Sequence, residues 1–382
     1  MENFKNKHKI GRTMLKFKKY KYNHNYIVSM FYISAFTIKT FLNLILLKIN
    51  ILLSSNNQKQ KRVLFIEPSR QGYGDLLFQI PLFFILNNNG FTVDVLIQQK
   101  HSAIIDNNPN IKNIFYWNKN LILEVLKKEH DIVIGLGRDT IRTNVLMLLK
   151  FSNKKIIPDA DIKSWHEAFK KNNPSVAWQI IVFRNFLDNN LFIEKPKIYF
   201  SKEELKEIRQ KSESPNRSIL FIAGVNRKLK RYPFWGEVIK KFNDNYKIQL
   251  LNPDNDLINS VKGFKITIIK TSTYREAILT IVKTNIIIGT EGSLIHIAVA
   301  LGKKIVALDA DFSFRKQTFM NIFENVIILN NHICHPWYEK NKKEMIRLCF
   351  LDKNGRIIKN ENSCLKNISP DSVIGAIKNL KD

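Results

Sequence analysis

The sequence predicts an α/β protein built from two Rossmann-like domains that face each other. Short apolar runs alternate with helical patterns from Arg62 onward, and the alternation restarts at Ser218 after a polar stretch. Buried parallel strands are nearly continuous apolar runs, and the helices that connect them produce this alternation. The chain has 382 residues, of which 45% are hydrophobic, and this is enough for two cores of ordinary size.

The first domain is predicted over residues 61–200. Helices are expected over residues 75–89 and in the run NLILEVLKKE. The predicted strands are RVLFIE from Arg62, FTVDVLIQ from Phe91, IKNIFYW from Ile111 and DIVIGLG from Asp131, with KKIIPD as a candidate fifth strand.

The second domain is predicted over residues 201–382, beginning with a helix and a loop within 201–217. Helices are expected over residues 234–243 and 292–301 and in TYREAILTIVKT. Ligands of such domains bind at the carboxyl ends of the strands, in the cleft. The predicted strands are SILFIAG from Ser218, YKIQLLN from Tyr246, FKITIIK from Phe264, NIIIGT from Asn285 and KKIVALD from Lys303.

The net charge is extreme at +28, and residues 1–62 contribute +12 of it. A field of this sign favours polyanions such as nucleic acid, anionic lipid or a phosphorylated glycolipid, although a general Lys/Asn-rich composition is the plain alternative. The three cysteines, Cys334, Cys349 and Cys364, are few and odd in number. They indicate a reducing compartment rather than a disulfide framework.

Residues 1–60 form a basic and apolar arm that we expect to associate with a membrane. Residues 26–53 are apolar, but Lys39 lies near the middle of the stretch, where a charge is costly inside a bilayer. An interfacial helix beside a polybasic segment fits this pattern. A helix packed on the body, a true span and a signal peptide remain alternatives.

The run GYGDLL follows the first predicted strand and raises two interpretations. Gly72 and Gly74 match the first two glycines of a dinucleotide fingerprint, but Leu77 occupies the third position. The glycine pattern therefore disfavours a dinucleotide-binding turn, and a role for the carboxylate of Asp75 is the other interpretation.

A better anion site is predicted after the strand NIIIGT. A helix starts near Gly292-Ser293, and its first turn would present free backbone N–H groups to a pyrophosphate. Glu291 would accept hydrogen bonds from sugar hydroxyls, and Ser293 would cap the helix or bind phosphate. His296 falls one turn further on, where an ordinary packed histidine is the alternative.

A basic loop follows the strand SILFIAG. Cations at this edge of a sheet suit a diphosphate leaving group, whereas a solvated charged loop is the alternative. Pro233 suits the first turn of the following helix. The loop's cations are Arg227, Lys228, Lys230 and Arg231.

Together these stretches resemble glycosyltransferase family 9, the lipopolysaccharide heptosyltransferases. The family's G-D-x-(L/V)-x-x-x-P pattern is similar to GDLLFQIP from Gly74, and its K-x-W-P-like element is similar to KRYP from Lys230. Its D-(S/T)-G-x-x-H-x-A-x-A-L element is similar to EGSLIHIAVAL from Glu291, and its C-terminal helix resembles CLKNISPDSVIGAIKNL from Cys364. The resemblance covers about residues 62–382.

The resemblance implies a GT-B fold and metal-independent, inverting transfer without a cofactor. The donor would be a nucleotide-diphosphate sugar, usually ADP-heptose, and the acceptor a phosphorylated, lipid A-linked oligosaccharide at the cytoplasmic face of the inner membrane. Asp75 would be the general base, and Lys230 would stabilise the departing diphosphate. The implied substrate-binding residues are Gly74, Arg227, Asp256, Glu291, Gly292, Ser293, Leu294 and His296, with Asp256 at the donor ribose.

Departures from the family pattern cluster at the donor side. Glu291 stands where the family usually has Asp, and Gly292-Ser293 inverts the usual order. After IVAL the chain has DADFSFR, with Asp309 and Asp311, in place of a glycine-proline turn. A same-fold transferase for another nucleotide sugar and a non-catalytic protein that binds polyanions or membranes therefore stay open.

Neither a metal ion nor a nucleic acid is expected as a ligand. A zinc site is an alternative for His332, Cys334 and His335 together with Cys349 and Cys364, but the spacing matches no common pattern. RNA is an alternative partner for the arm, but no nucleic-acid module follows it. The sequence thus predicts no metal and no nucleic-acid partner.

Overall fold

The computed structural model describes ten stretches of the chain, all of which belong to one compact unit, residues 60–382. The arm predicted over residues 1–60 lies outside the described residues. Among the helices that are described, none is long and apolar enough to cross a membrane. The described residues are 61–67, 72–117, 124–125, 128–135, 154–156, 194–212, 218–223, 230–309, 325–330 and 363–380.

The first sheet has five parallel strands in the order β3-β2-β1-β4-β5. Its middle strands are mainly apolar and buried, as is typical of parallel strands covered on both faces, although one of them contains the buried Asp94. The five predicted strands of this half are all present. They are β1 (Arg62–Ile66), β2 (Thr92–Ile97), β3 (Asn113–Tyr116), β4 (Ile132–Gly135) and β5 (Lys154–Ile156).

The helix expected over residues 75–89 is two helices, Tyr73–Leu77 and Ile80–Asn88. Pro81 explains the break, because its ring would clash with the carbonyl four residues earlier in a continuous helix. Between β2 and β3 the chain forms a 3₁₀ turn, Gln99–His101, and the short helix Ser102–Ile105. Of the predicted helix NLILEVLKKE, only residues 124–125 are described as helical.

The second sheet has six parallel strands in the order β11-β10-β9-β6-β7-β8. Five of them were predicted, and the edge strand β11 was not. The predicted α/β architecture with parallel sheets is confirmed. The strands are β6 (Ser218–Ile222), β7 (Lys247–Leu251), β8 (Ile266–Ile269), β9 (Ile286–Thr290), β10 (Lys304–Leu308) and β11 (Val326–Leu329).

Three helices of the second half begin at capping residues that the sequence supplies. Asp254, Thr273 and Ser369 each accept a hydrogen bond from a first-turn N–H group. Pro233 precedes its helix, which begins at Trp235, instead of lying in the first turn. The helices are Lys202–Ser212, Trp235–Phe242, Asn255–Ser260, Tyr274–Val282, Ser293–Ala300, Ser363–Lys366 and Pro370–Asn379.

One hydrophobic cluster extends through both halves of the unit. From the first half it includes Phe65 and Phe83, and from the second half Ile278 and Ile297. All four side chains are inaccessible to solvent. The two sheets are therefore joined by a shared core, which holds the ends of β1 and β9 near each other.

Candidate active site

Asp75 lies within a short helix that follows the carboxyl end of β1. This helix, Tyr73–Leu77, is called the Asp75 helix below. The sequence placed Asp75 on an open glycine turn, whereas only Gly72 precedes the helix and Gly74 is part of it. Its assignment as the general base stays a prediction.

The second element begins at the carboxyl end of β9. Gly292 is extended, with φ 176° and ψ 175°, and occupies the N-cap position of Ser293–Ala300, which is called the Ser293 helix below. Ser293 is thus the first helical residue, and the interpretation of Ser293 as the cap is wrong because the chain turns one residue earlier. The first-turn N–H groups, including those of Ser293 and Leu294, have no acceptor within their own helix. They provide the positive end of the helix dipole.

Gly289 allows β9 to approach its neighbour closely enough to hold this loop. A Cβ atom at Gly289 would lie 2.7 Å from the carbonyl oxygen of Ile222 and 3.0 Å from Cδ1 of Ile295. The N–H of Glu291 then donates to the carbonyl of Leu308 at 2.9 Å. The close packing of β9 on β6 therefore fixes where Glu291 leaves the sheet.

The Asp75 helix and the Ser293 helix are in direct contact. A Cβ atom at Gly74 would lie 3.5 Å from Cδ2 of His296 and 4.0 Å from Cα of Ser293. The ring of Phe78 meets the His296 ring edge-on, with centroids 5.1 Å apart. The structure thus brings together three of the predicted site residues, Gly74, Ser293 and His296.

Lys230 and Glu291 form an ion pair at the start of the Ser293 helix. The ammonium group contacts Oε2 of Glu291 and lies 3.4 Å from its carbonyl oxygen. The two side chains are only 19% and 13% exposed. The sequence assigned Lys230 to the diphosphate and Glu291 to the sugar but did not predict that they bind each other.

His296 completes this cluster as a neutral imidazole. Its Nε2 atom is 3.9 Å from Oε1 of Glu291. Burial, together with the nearby positive charge of Lys230, lowers the pKa of His296 to about 3. His296 is therefore uncharged at neutral pH and adds no cation to the site.

The chain that follows Lys230 is anchored by the aromatic residue two positions further on. The Tyr232 side chain is buried, and its hydroxyl donates to the carbonyl of Ile368 at 2.9 Å. Its ring packs edge-on against Phe234 and Trp235. The KRYP element thus connects the site to the C-terminal segment that carries the last family-like motif.

The remaining donor-side predictions have different outcomes. Asp256 has a side chain 90% exposed and lies 3.7 Å from the Arg231 guanidinium, which is also 3.4 Å from Asp254. Asp309 is fully buried rather than part of an open acidic turn. Arg227 and Asp311 lie outside the described residues.

Three residues of this region were missed by the sequence reasoning. Tyr73 and Tyr274 stack on each other, with ring centroids 3.6 Å apart. Arg275 donates to both carboxylate oxygens of Glu204 and to the carbonyls of Ala103 and Tyr199. The only sequence signal was an aromatic residue at the start of each helix, and that does not reveal the pairing.

The described part of the chain contains no group of three His, Cys, Asp or Glu residues that could hold a metal ion. The zinc alternative cannot be placed, since His332, Cys334, His335 and Cys349 and the Cys364 side chain lie outside the described residues.

The sequence profile described as glycosyltransferase family 9 (heptosyltransferase) matches residues 159–344. This match confirms the resemblance to glycosyltransferase family 9. The match includes Lys230, Glu291 and the whole Ser293 helix, so both residues of the ion pair lie within the matched region. The enzyme class predicted from the motifs, a glycosyltransferase, is confirmed.

Several solved structures share the fold of this chain. A family 9 glycosyltransferase from Veillonella parvula has a TM-score of 0.66 at 17% identity, over 86% of this chain and 99% of that one. The E. coli ADP-heptose lps heptosyltransferase II has a TM-score of 0.58 at 15% identity, over 84% of this chain and 98% of that one. E. coli heptosyltransferase WaaC with ADP has a TM-score of 0.60 at 12% identity, over 84% of this chain and 100% of that one.

These structural relatives confirm the GT-B fold with two Rossmann-like domains. None of the curated proteins compared with the chain has significant sequence similarity to it.

Proposed function

We propose that this enzyme transfers heptose from ADP-heptose to a phosphorylated, lipid A-linked oligosaccharide during assembly of the lipopolysaccharide or lipooligosaccharide core. The E. coli relatives are named as heptosyltransferases, and one of them was solved with ADP. The observation that carries the proposal is the partly buried Lys230, held beside the first turn of the Ser293 helix. A cation and free N–H groups at one place suit a diphosphate.

In the proposed reaction, an acceptor hydroxyl oxygen attacks the anomeric carbon from the face opposite the diphosphate. Asp75 takes the hydroxyl proton, the new glycosidic C–O bond forms, and the bond to the diphosphate oxygen breaks. ADP leaves with the bonding electron pair, and the configuration at the anomeric carbon is inverted. Lys230 and the N–H groups of Ser293 and Leu294 stabilise the charge that develops on the diphosphate, so that no metal is required.

Donor binding must rearrange the ion pair described above. The diphosphate carries more charge than one carboxylate and can accept from both Lys230 and the helix N–H groups. Lys230 would therefore exchange Glu291 for the diphosphate. The carboxylate of Glu291, once released, becomes an acceptor for hydroxyl groups of the transferred sugar. His296, being neutral, can lie against Glu291 without competing for its charge.

We also propose that the enzyme acts as a peripheral protein at the cytoplasmic face of the inner membrane. Residues 1–62 carry a charge of +12, and the whole chain carries +28. A basic segment near an anionic leaflet is attracted by about 1 kcal/mol per Lys or Arg. The same charge suits a phosphorylated lipid-linked acceptor.

A second candidate is transfer from another nucleotide sugar. The observation that favours it is Glu291, which is one methylene longer than the usual Asp and reaches Lys230. This difference changes the position of the carboxylate that would contact the sugar.

Calorimetric titration of the full-length protein tests the donor, with ADP-heptose, UDP-sugars, GDP-sugars and ADP as ligands and EDTA present throughout. We expect ADP-heptose and ADP to bind and the other nucleotides to bind at least tenfold more weakly. Preference for a uridine or guanosine nucleotide would replace the donor by the second candidate. Absence of binding to any of them by folded protein would contradict both candidates and favour the polyanion-binding alternative.

A further inference from the structure

Tyr73 and Tyr274 join the two halves of the enzyme beside the proposed site. Tyr73 is the first residue of the Asp75 helix, and Tyr274 is the first residue of the helix between β8 and β9. Their rings are nearly parallel, at 6°, and their centroids are 3.6 Å apart. The contact therefore links the element that carries the proposed base to the sheet that carries the donor residues.

Tyr73 packs against a fully buried acid–histidine pair. Its ring meets His101 edge-on at 4.5 Å, and its hydroxyl donates to the carbonyl of Lys100 at 3.0 Å. His101 is paired through Nδ1 with Glu67, and both side chains are inaccessible to solvent. Glu67 is fixed in turn, because it accepts from the N–H of Gln98 at 2.8 Å.

Tyr274 is held by its neighbour Arg275. The guanidinium donates to the carbonyl of Ala103, in the same short segment that contains His101, at 2.8 Å. It also binds both oxygens of Glu204, and this hydrogen bonding lowers the pKa of that carboxyl despite its partial burial. A guanidinium that is fixed by two oxygens of one carboxylate has a defined orientation.

The residue next to the anchored Tyr73 lies at the contact with the Ser293 helix. Gly74, next to Tyr73, approaches His296 and Ser293 closely enough that a Cβ atom would be in van der Waals contact with both. Tyr274 also lies beside Ser293, whose side chain partly opposes the rise in the pKa of the Tyr274 hydroxyl that burial causes. The tyrosine stack therefore lies directly beside the contact between the Asp75 helix and the donor-side Ser293 helix.

We propose that Tyr73 and Tyr274 are positioning residues for glycosyl transfer, whose stack fixes the Asp75 helix against the Ser293 helix. This inference rests on the proposed function for the roles of the two helices. The tyrosines touch neither substrate in this account. They set the distance between base and donor, and an error of about 1 Å in such a distance costs about 100-fold in rate.

The test compares full-length Tyr274→Leu, which removes the stack, with Tyr274→Phe, which keeps the ring. We expect kcat of Tyr274→Leu to fall at least tenfold while its Kd for ADP stays within threefold of the wild type. Tyr274→Phe should recover at least half of the wild-type kcat. The matched control is Tyr246→Leu, since the Tyr246 ring packs on Phe242 within the second half alone. It should lower the Tm without lowering kcat.

A distance measurement decides the inference even if the donor has been identified wrongly. Spin labels at the exposed positions Asn88 and Lys262, in a chain whose three cysteines are replaced by serine, report the separation of the two halves. We expect one narrow distance for the wild type and Tyr274→Phe, and a broadened distribution for Tyr274→Leu. The inference is overturned if Tyr274→Leu keeps the wild-type distribution, or if Tyr274→Phe is as impaired as Tyr274→Leu. Failure of the wild type to transfer any donor would instead contradict the proposed function.

Discussion

Lys230 and Glu291, 61 residues apart in the chain, form a mostly buried ion pair at the entrance of the Ser293 helix. Lys230 lies where the proposed donor diphosphate binds. Burial of its charge would be costly alone, but the opposite charge of Glu291 reduces that desolvation cost. The pair also means that the enzyme must exchange one anion for another when the donor arrives. The first two predictions follow from this exchange.

Removing the charge of Glu291 should strengthen nucleotide binding. In Glu291→Gln the diphosphate no longer competes with a carboxylate for Lys230, so we expect the Kd for ADP to fall about 3- to 10-fold, equivalent to about 0.7–1.4 kcal/mol. Glu291→Asp is the matched control, since it keeps the charge but shortens the side chain. Calorimetry measures both variants, and weaker ADP binding by Glu291→Gln would contradict the exchange.

Removing the charge of Lys230 should suppress transfer. We expect Lys230→Met to lower kcat by about 10²- to 10³-fold, the usual cost of losing one group that stabilises transition-state charge. The variant also leaves the Glu291 carboxylate without its lysine, which should cost about 1–3 kcal/mol of folding free energy. The double variant Lys230→Met/Glu291→Gln separates the two effects. It should regain stability in urea denaturation but no activity, and recovery of turnover would remove Lys230 from the mechanism.

His296 makes the folded enzyme sensitive to acid. Its pKa is about 3 in the folded state, with Lys230, Glu291 and Phe78 around it, and about 6.5 when unfolded. Between these values the unfolded state binds the extra proton, so stability falls as the pH falls below 6.5. The expected contribution is a loss of about 2 kcal/mol between pH 7.5 and 5.

The variant His296→Asn separates the contribution of His296 to the pH dependence of stability from the contributions of the other seven histidines. Its free energy of unfolding should decline less between pH 7.5 and 5 than that of the wild type, by about the same 2 kcal/mol. Urea denaturation at both pH values measures the difference. Parallel pH profiles for the two proteins would show that His296 is not held neutral.

Gly289 and Gly375 should respond in opposite ways to the same substitution. In Gly289→Ala the new Cβ would meet the carbonyl oxygen of Ile222 at 2.7 Å, so we expect a loss of about 1–3 kcal/mol in folding free energy. Gly375 lies in the C-terminal helix with no atom within 4 Å of an added Cβ. Gly375→Ala should therefore gain about 0.5–1 kcal/mol. Equal effects would show that β9 does not pack as closely on β6 as described.

The sheets could be predicted from sequence because buried parallel strands are recognisable as apolar runs. RVLFIE and NIIIGT have this signature, and each lies at the centre of its sheet. The edge strand Val326–Leu329 was missed because its four residues are only half-buried and stand apart from any helical pattern. The break in the helix after Leu77 was missed although Pro81 signalled it.

The candidate site could be predicted only in its parts. Motifs identified Lys230 and Glu291, but no local pattern shows that residues 61 positions apart will pair. The stack of Tyr73 on Tyr274 depends likewise on how two domains pack, which neither helix encodes alone. The exposure of Asp256 reflects its place in the first turn of a short helix, where its partner is Arg231.

The most direct test of the account is single-turnover transfer by full-length Asp75→Asn compared with the wild type. Both proteins are loaded with ADP-heptose, mixed with lipid A-linked acceptor, and followed by release of ADP. We expect Asp75→Asn to bind the donor with a Kd within about threefold of the wild type and to transfer at least about 100-fold more slowly. Transfer at the wild-type rate would contradict the assignment of Asp75 as the base.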